Sequence, residues 1–128
     1  MQKYFFIRLD GRYHKIIFNE IIFVEGARNY LKIVTDKRNY LVLMSMKKME
    51  HLLPAHLFKR IHKSYIVSLD AITAFESDRA FLKDKELPIG ACYSNVLHQS
   101  FTLVKDDEIK TPVFTLYAYN SAGVQYRN

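Results

Sequence analysis

Three cations, an imidazole and a hydroxyl stand directly before a β-branched, aromatic run in Phe58-Lys59-Arg60-Ile61-His62-Lys63-Ser64-Tyr65-Ile66-Val67-Ser68-Leu69. In an extended chain Tyr65, Val67 and Leu69 point to one side, and Ser64, Ile66 and Ser68 to the other. Lys59, Arg60, His62, Lys63 and Ser64 would thus be held at the end of a rigid strand. The pattern suits a phosphate-binding edge, a solvated loop or a structural polar cluster, and by itself it does not choose. It does not suggest catalysis. There is no Gly-x-Ser-x-Gly, Walker-type loop or dinucleotide fingerprint, and Asp and Glu fall singly at turns. His62 and Ser64 are not read as a nucleophile and its base, and no enzyme activity is expected.

Charge gives the cations a context. The formal net charge is +6, and nine Lys and Arg between Arg28 and Lys63 face only Asp36 and Glu50. The rest of the chain carries ten basic and eleven acidic residues, so the whole excess sits in one central block. A localised basic surface attracts polyanions and is a common footprint of nucleic-acid binding. An anionic membrane surface or plain solubility fits the same charge.

The elements that must position these residues can be read in chain order. At 128 residues, 49% hydrophobic and 25% charged, the chain is expected to form one soluble globular domain. Tyr4 to Leu9 is a first strand, Asp10-Gly11 a turn, and Tyr13 to Phe18 a second strand. Ile21 to Glu25 is apolar on both sides, so it is expected to be buried, and Glu25 then needs a partner or an exit to solvent. Gly26 to Asn29 is a loop, Tyr30 to Thr35 a strand, Asp36 to Asn39 a polar turn, and Tyr40 to Met44 a returning strand. Ser45 can cap a helix over Met46 to Leu53, with apolar positions 46, 49, 52 and 53, that Pro54 ends. Beyond the central stretch, short strands are expected over Ala71 to Glu76, Arg79 to Leu82 and Glu86 to Ile89. A helix over about Ala91 to Leu103 would turn Val96, Leu97, Phe101 and Leu103 inward. The sum is a mainly β domain of roughly nine strands with two short helices.

Other classes are not favoured. No apolar run approaches the roughly 20 residues of a membrane span. Gln2 and Lys3 lead straight into strand-like sequence, so no signal or transit peptide is expected and the location reads as cytoplasmic. Cys92 is the one cysteine, and the five histidines lack ligand spacing, so neither a disulfide nor a metal or other cofactor is expected. Lys105 to Lys110 reads as a linker, and Pro112 to Tyr119 as an aromatic-rich strand that could join a sheet edge, pair with a second copy or stay disordered.

Three blocks in order carry a resemblance. They are Ile21-Ile22-Phe23-Val24-Glu25-Gly26-Ala27-Arg28-Asn29-Tyr30 with Leu31-Lys32-Ile33, then the central stretch about thirty residues later, then Leu87-Pro88-Ile89-Gly90. Over about residues 3 to 104 the chain closely resembles the LytTR family of bacterial DNA-binding domains, leaving 105–128 as linker and tail. The resemblance implies stacked antiparallel sheets that present loops to successive major grooves of double-stranded DNA. It also implies the output role of a two-component response regulator, whose receiver domain or sensor partner is not in this chain, and a homodimer on paired DNA repeats that bends its site. By the same resemblance, the base-reading positions are Asn29 beside Arg28, Lys63, and Ala91, where a basic residue is usual.

The residue chemistry fits two of the three. Asn29 can pair in bidentate fashion with adenine, and Lys63 can donate to guanine O6 and N7. Ala91 has no donor and offers only a contact to a thymine methyl. Arg28, Lys32, Lys59, Ser64, Tyr93 and Ser94 are candidates for phosphate contacts. Asn29 could instead only shape a turn, and Tyr30 is expected in the core. A strand through Phe58, Arg60 and His62 cannot be core and surface on both sides, so a bend is expected near Ile61 to His62. Arg60 is then expected to pair with Glu25, and His62 to anchor the loop bearing Lys63. An RNA-binding module and a β-rich protein-interaction domain with a basic face are the rival readings. The first is disfavoured by the lack of an aromatic RNA-binding strand.

Overall fold

Ten short strands and two short helices make up the computed structural model, which describes residues 2–106. β1 (Tyr4–Leu9) and β2 (Arg12–Ile17) pair antiparallel, with Leu9 opposite Arg12. Asp10 and Gly11 take φ of 53° and 77°, the left-handed pair that a two-residue hairpin needs to match strand twist. This hairpin is a sheet of its own.

The body of the fold is a five-stranded antiparallel sheet in the order β5-β4-β3-β7-β6. Its strands are β3 (Ile21–Ala27), β4 (Tyr30–Thr35), β5 (Asn39–Leu43), β6 (Phe58–His62) and β7 (Tyr65–Ser68). A third sheet has the order β10-β9-β8, from β8 (Ala74–Phe75), β9 (Arg79–Phe81) and β10 (Glu86–Pro88). The expected β3 is found but runs two residues further, so Gly26 and Ala27 are strand and only Arg28 and Asn29 turn.

Successive residues of the central strands point to opposite faces, and both faces are covered. On one side Val24, Leu31, Ile33, Val42 and Ile66 pack against Phe5, Ile7 and Ile16 of the hairpin and against Met49 and Leu53. On the other, Phe23 and Val67 pack with Ile61, Ala80, Leu82, Leu87 and Leu97. Val24, Ile33 and Ile66 are essentially inaccessible, each worth about 1.5–3 kcal/mol in burial. Two cores on either side of one sheet explain the two-sided apolar pattern of β3.

The helices follow their signals unequally. α1 (Met46–Leu52) begins where Ser45 Oγ accepts the Lys48 N–H at 3.1 Å, and Leu53, next before Pro54, is its C-cap. The expected helix over 91 to 103 is broken instead. Ala91–Tyr93 is a 3-10 turn, and α2 (Val96–Ser100) is a separate short helix with only Leu97 fully buried. Leu103, expected inward, is 47% exposed past the end of α2. Tyr30, also expected in the core, is 49% exposed, because that face of β4 and β5 extends beyond the third sheet. The expected strand over 112–119 lies outside the described residues. No described helix is long and apolar enough to cross a membrane.

Candidate nucleic-acid interface

The central stretch is a hairpin rather than one strand. β6 and β7 pair antiparallel with His62 opposite Tyr65, so Lys63 and Ser64 form a two-residue turn. The expected bend is present as a register shift between Arg60 and His62, which turns Ile61 into the second core. The turn contains none of the Gly, Asn or Asp residues usual in such hairpins, and side chains hold it instead. Arg60 is a clamp: its Nη2 donates to the Lys63 carbonyl at 2.7 Å and its Nε to the His62 carbonyl at 3.3 Å. Its third contact is Glu50 of α1, at 3.3 Å.

The expected pairing of Arg60 with Glu25 is therefore corrected. Arg60 lies opposite Ile66, on the face covered by α1, whereas Glu25 lies opposite Tyr65 on the other face. Glu25 accepts the Tyr65 hydroxyl at 3.1 Å and lies 3.8 Å from the Lys32 ammonium. His62 Nδ1 accepts the Ser64 backbone N–H at 3.0 Å, the anchoring role expected of it. Two residues two apart share one side of a regular strand, so spacing alone would have allowed a His62–Ser64 dyad. The contact is to the Ser64 amide and not to its hydroxyl. Among the described residues there is no group of three or more His, Cys, Asp or Glu that could hold a metal.

Burial, then the Glu25 charge and hydrogen bond, raise the Tyr65 pKa above its ordinary 10.0. A neutral phenol is thus favoured in the folded state, and the stability this adds is complete below pH 10 and lost as pH climbs through the raised value. Tyr65→Phe lacks this component. The difference in Tm between wild type and Tyr65→Phe should shrink above pH 10, and a difference that widens there would contradict the assignment.

Backbone hydrogen bonds bring three segments to one end of the sheet. The Gly26 N–H donates to the Ser64 carbonyl at 2.8 Å, tying the Arg28–Asn29 turn to the Lys63–Ser64 turn. The Gly90 N–H donates to the Ile61 carbonyl at 2.8 Å, fixing the segment that carries Ala91 beside the second turn. Arg28 sits at φ 59°, the positive value that mirror-image hairpin turns place at their first central residue. A Cβ on Gly90 would lie 3.2 Å from the Tyr93 ring and 3.6 Å from His62, so a side chain there would crowd the Tyr93 ring. Asn29, Lys63 and Ala91 are all exposed.

The other candidates are dispersed. Lys32 is drawn to Glu25 on the sheet face. Lys59 stands four residues before Lys63, roughly 13 Å up the strand, in a recess it shares with Tyr93, Val96 and Gln99. Tyr93 packs its ring on Gly90 and the second core, and Ser94, partly buried, closes the 3-10 turn. Lys47 and Lys48 were missed as individual candidates. They occupy the first turn of α1, whose Met46 lies 3.4 Å from the Cβ position of Gly26, beside the first turn of the interface. Cations there oppose the helix dipole, and with the central charge block that is a readable sign of a role beyond folding. Lys47, Lys48, Arg28 and Lys63 make no ion pair among the described residues.

The family model of the LytTr DNA-binding domain matches residues 11–102. The chain belongs to the LytTr DNA-binding domain family. Its fold is also that of a solved structure, the LytTr DNA-binding domain of a response regulator from Bacillus cereus. The two agree with a TM-score of 0.66 at 17% sequence identity, over 78% of this chain and 97% of that one. No curated protein matches the chain. The LytTr domain described here is accordingly a DNA-binding domain of stacked antiparallel sheets, with an exposed set of turns at one sheet end.

Proposed function

We propose that this LytTr domain regulates transcription in the cytoplasm by sequence-specific binding of double-stranded DNA, with its sheet-end turns in the major groove. Asn29 and Lys63 read bases, and Ala91 contributes at most a contact to a thymine methyl. Arg28, Ser64, Lys47 and Lys48 grip phosphates, with Lys32 and Lys59 further from the tips. Tyr93 and Ser94 support the third segment as well as any phosphate it meets. One observation carries this reading: two backbone hydrogen bonds, Gly26 to Ser64 and Gly90 to Ile61, join the three segments at one end. Turns fixed to each other by main-chain bonds present their tips as one rigid surface, which recognition of a stiff duplex favours. We further propose residues 1–104 as the DNA-binding unit with 105–128 as linker and tail. The unit acts as a response-regulator output, bound as a homodimer to repeated sites. The Bacillus cereus relative, a domain of a response regulator, supports that setting.

Titrations with duplex DNA, single strands and RNA over a range of salt test the proposal. The expected result is a preference for duplex, with log affinity falling by roughly 0.9 per phosphate neutralised for each unit of log salt. Equal or tighter binding of RNA or single strands would replace this reading with the RNA-binding one.

Lys47→Glu/Lys48→Glu should move stability and binding in opposite directions. Acidic residues in a first turn favour the helix dipole by about 0.3–1 kcal/mol each, so Tm should rise. DNA affinity should fall on all sequences alike, and the salt slope should flatten. An unchanged affinity would remove α1 from the interface.

A further inference from the structure

The outer face of the β1–β2 hairpin holds none of the residues assigned above to DNA. Phe5, Ile7 and Ile16 point into the first core, so the alternation sends Tyr4, Phe6 and Arg8, with Tyr13 and Lys15 opposite them, away from the rest of the molecule. Tyr4, Phe6 and Tyr13 are 43%, 52% and 64% exposed, an unusual density of aromatic surface on so short a hairpin. The Lys15 ammonium lies 4.5 Å from the centre of the Tyr4 ring and 5.9 Å from that of Phe6, and the Arg8 guanidinium lies 5.9 Å from that of Tyr13. Asp10, in the turn, is the hairpin's one acid. Neither Arg8 nor Lys15 takes part in an ion pair among the described residues.

We infer that this face docks an acidic protein segment, with carboxylates on Arg8 and Lys15 and apolar side chains against Tyr4, Phe6 and Tyr13. Charge complementarity selects the partner. Cations without counter-ions favour an anion, and the rings favour one that also carries apolar side chains, the mix of Tyr and Arg found at the energetic centres of protein interfaces. A second copy is disfavoured, because two identical faces would oppose cation to cation. A single-stranded nucleic acid would need open ring faces on which to stack its bases. Here Tyr4 and Phe6 stand at 89° to each other, and Lys15 already occupies the face of Tyr4. The hairpin lies on a face of the five-stranded sheet, whereas the reading turns project from its end, so both surfaces can be occupied together.

The test is residue-resolved NMR on the full chain, titrated with a synthetic peptide of alternating glutamate and leucine while excess duplex DNA covers the basic turns. The amides of β1 and β2 should shift. Arg8→Glu/Lys15→Glu should weaken the peptide about tenfold, with Tm and duplex affinity near wild type. Phe6→Ser, which keeps every charge, should weaken it too and serves alone if the charge reversal does not fold. Any of three outcomes overturns the inference: peptide shifts confined to the Arg28–Asn29 and Lys63–Ser64 turns that vanish with duplex; an oligothymidine that moves the hairpin where the peptide does not; or hairpin amides that shift with protein concentration alone, the mark of a second copy.

Discussion

Arg60→Ala is expected to lose both stability and DNA affinity, although Arg60 is not assigned to touch DNA. The Arg60 side chain is only 19% exposed, and its guanidinium donates to two carbonyls at the Lys63–Ser64 turn while meeting Glu50 on α1. Hydrogen bonds from a charged group contribute about 1.5–3 kcal/mol, and their removal leaves the carbonyls of a turn with no helpful residue type of its own. A net cost of about 1–2 kcal/mol would lower Tm by several degrees, since about 4–8 °C accompany each kcal/mol in a domain of this size. Affinity should fall further than stability, because a loosened turn must be re-ordered on binding. Arg60→Lys keeps the charge but not the planar fork, so it should rescue little. A lysine variant that melts and binds as wild type does would show that charge alone is needed.

Asn29→Ala and Lys63→Ala should change which sequences are bound, with the fold left intact. Both side chains are exposed at turn tips whose backbones are held by other residues, so Tm should move by no more than about 0.5 kcal/mol in equivalent stability. Each should cost about 1–3 kcal/mol on the preferred duplex and much less on duplexes altered at the base pair it reads. Uniform losses on every duplex would turn both residues into phosphate contacts. The contrast with Lys47→Glu/Lys48→Glu separates reading from gripping inside one protein.

Local chemistry made much of this fold legible. Asp10-Gly11 marks its turn because few residue pairs accept two positive φ values in succession. Ser45 and Pro54 bracket α1 because a cap and an imino acid act on their own neighbours. The Lys63–Ser64 turn was not legible as a hairpin, because Arg60, His62 and Gly26 hold it and three of those four bonds depend on a side chain's direction. Arg60 could not be assigned to Glu50 rather than Glu25 without knowing which sheet face α1 covers. Tyr30 and Leu103 look like core by composition, and only the limited extent of the third sheet and of α2 leaves them in solvent. For the site, the family resemblance pointed to the tips at Asn29 and Lys63, and their residue types suit base reading. The lysines of α1 gained meaning only when Met46 was found against Gly26.

The central claim is that the turns enter the major groove, and methylation interference tests it most directly. Dimethyl sulfate methylates guanine at N7 in the major groove and adenine at N3 in the minor groove, so one reagent marks both. On a duplex selected from a random pool, methylation at particular guanine N7 positions should block binding of the wild-type chain. Lys63→Ala should become indifferent at one of those guanines while the others still interfere. Interference confined to adenine N3, or a guanine pattern identical in wild type and Lys63→Ala, would contradict the account.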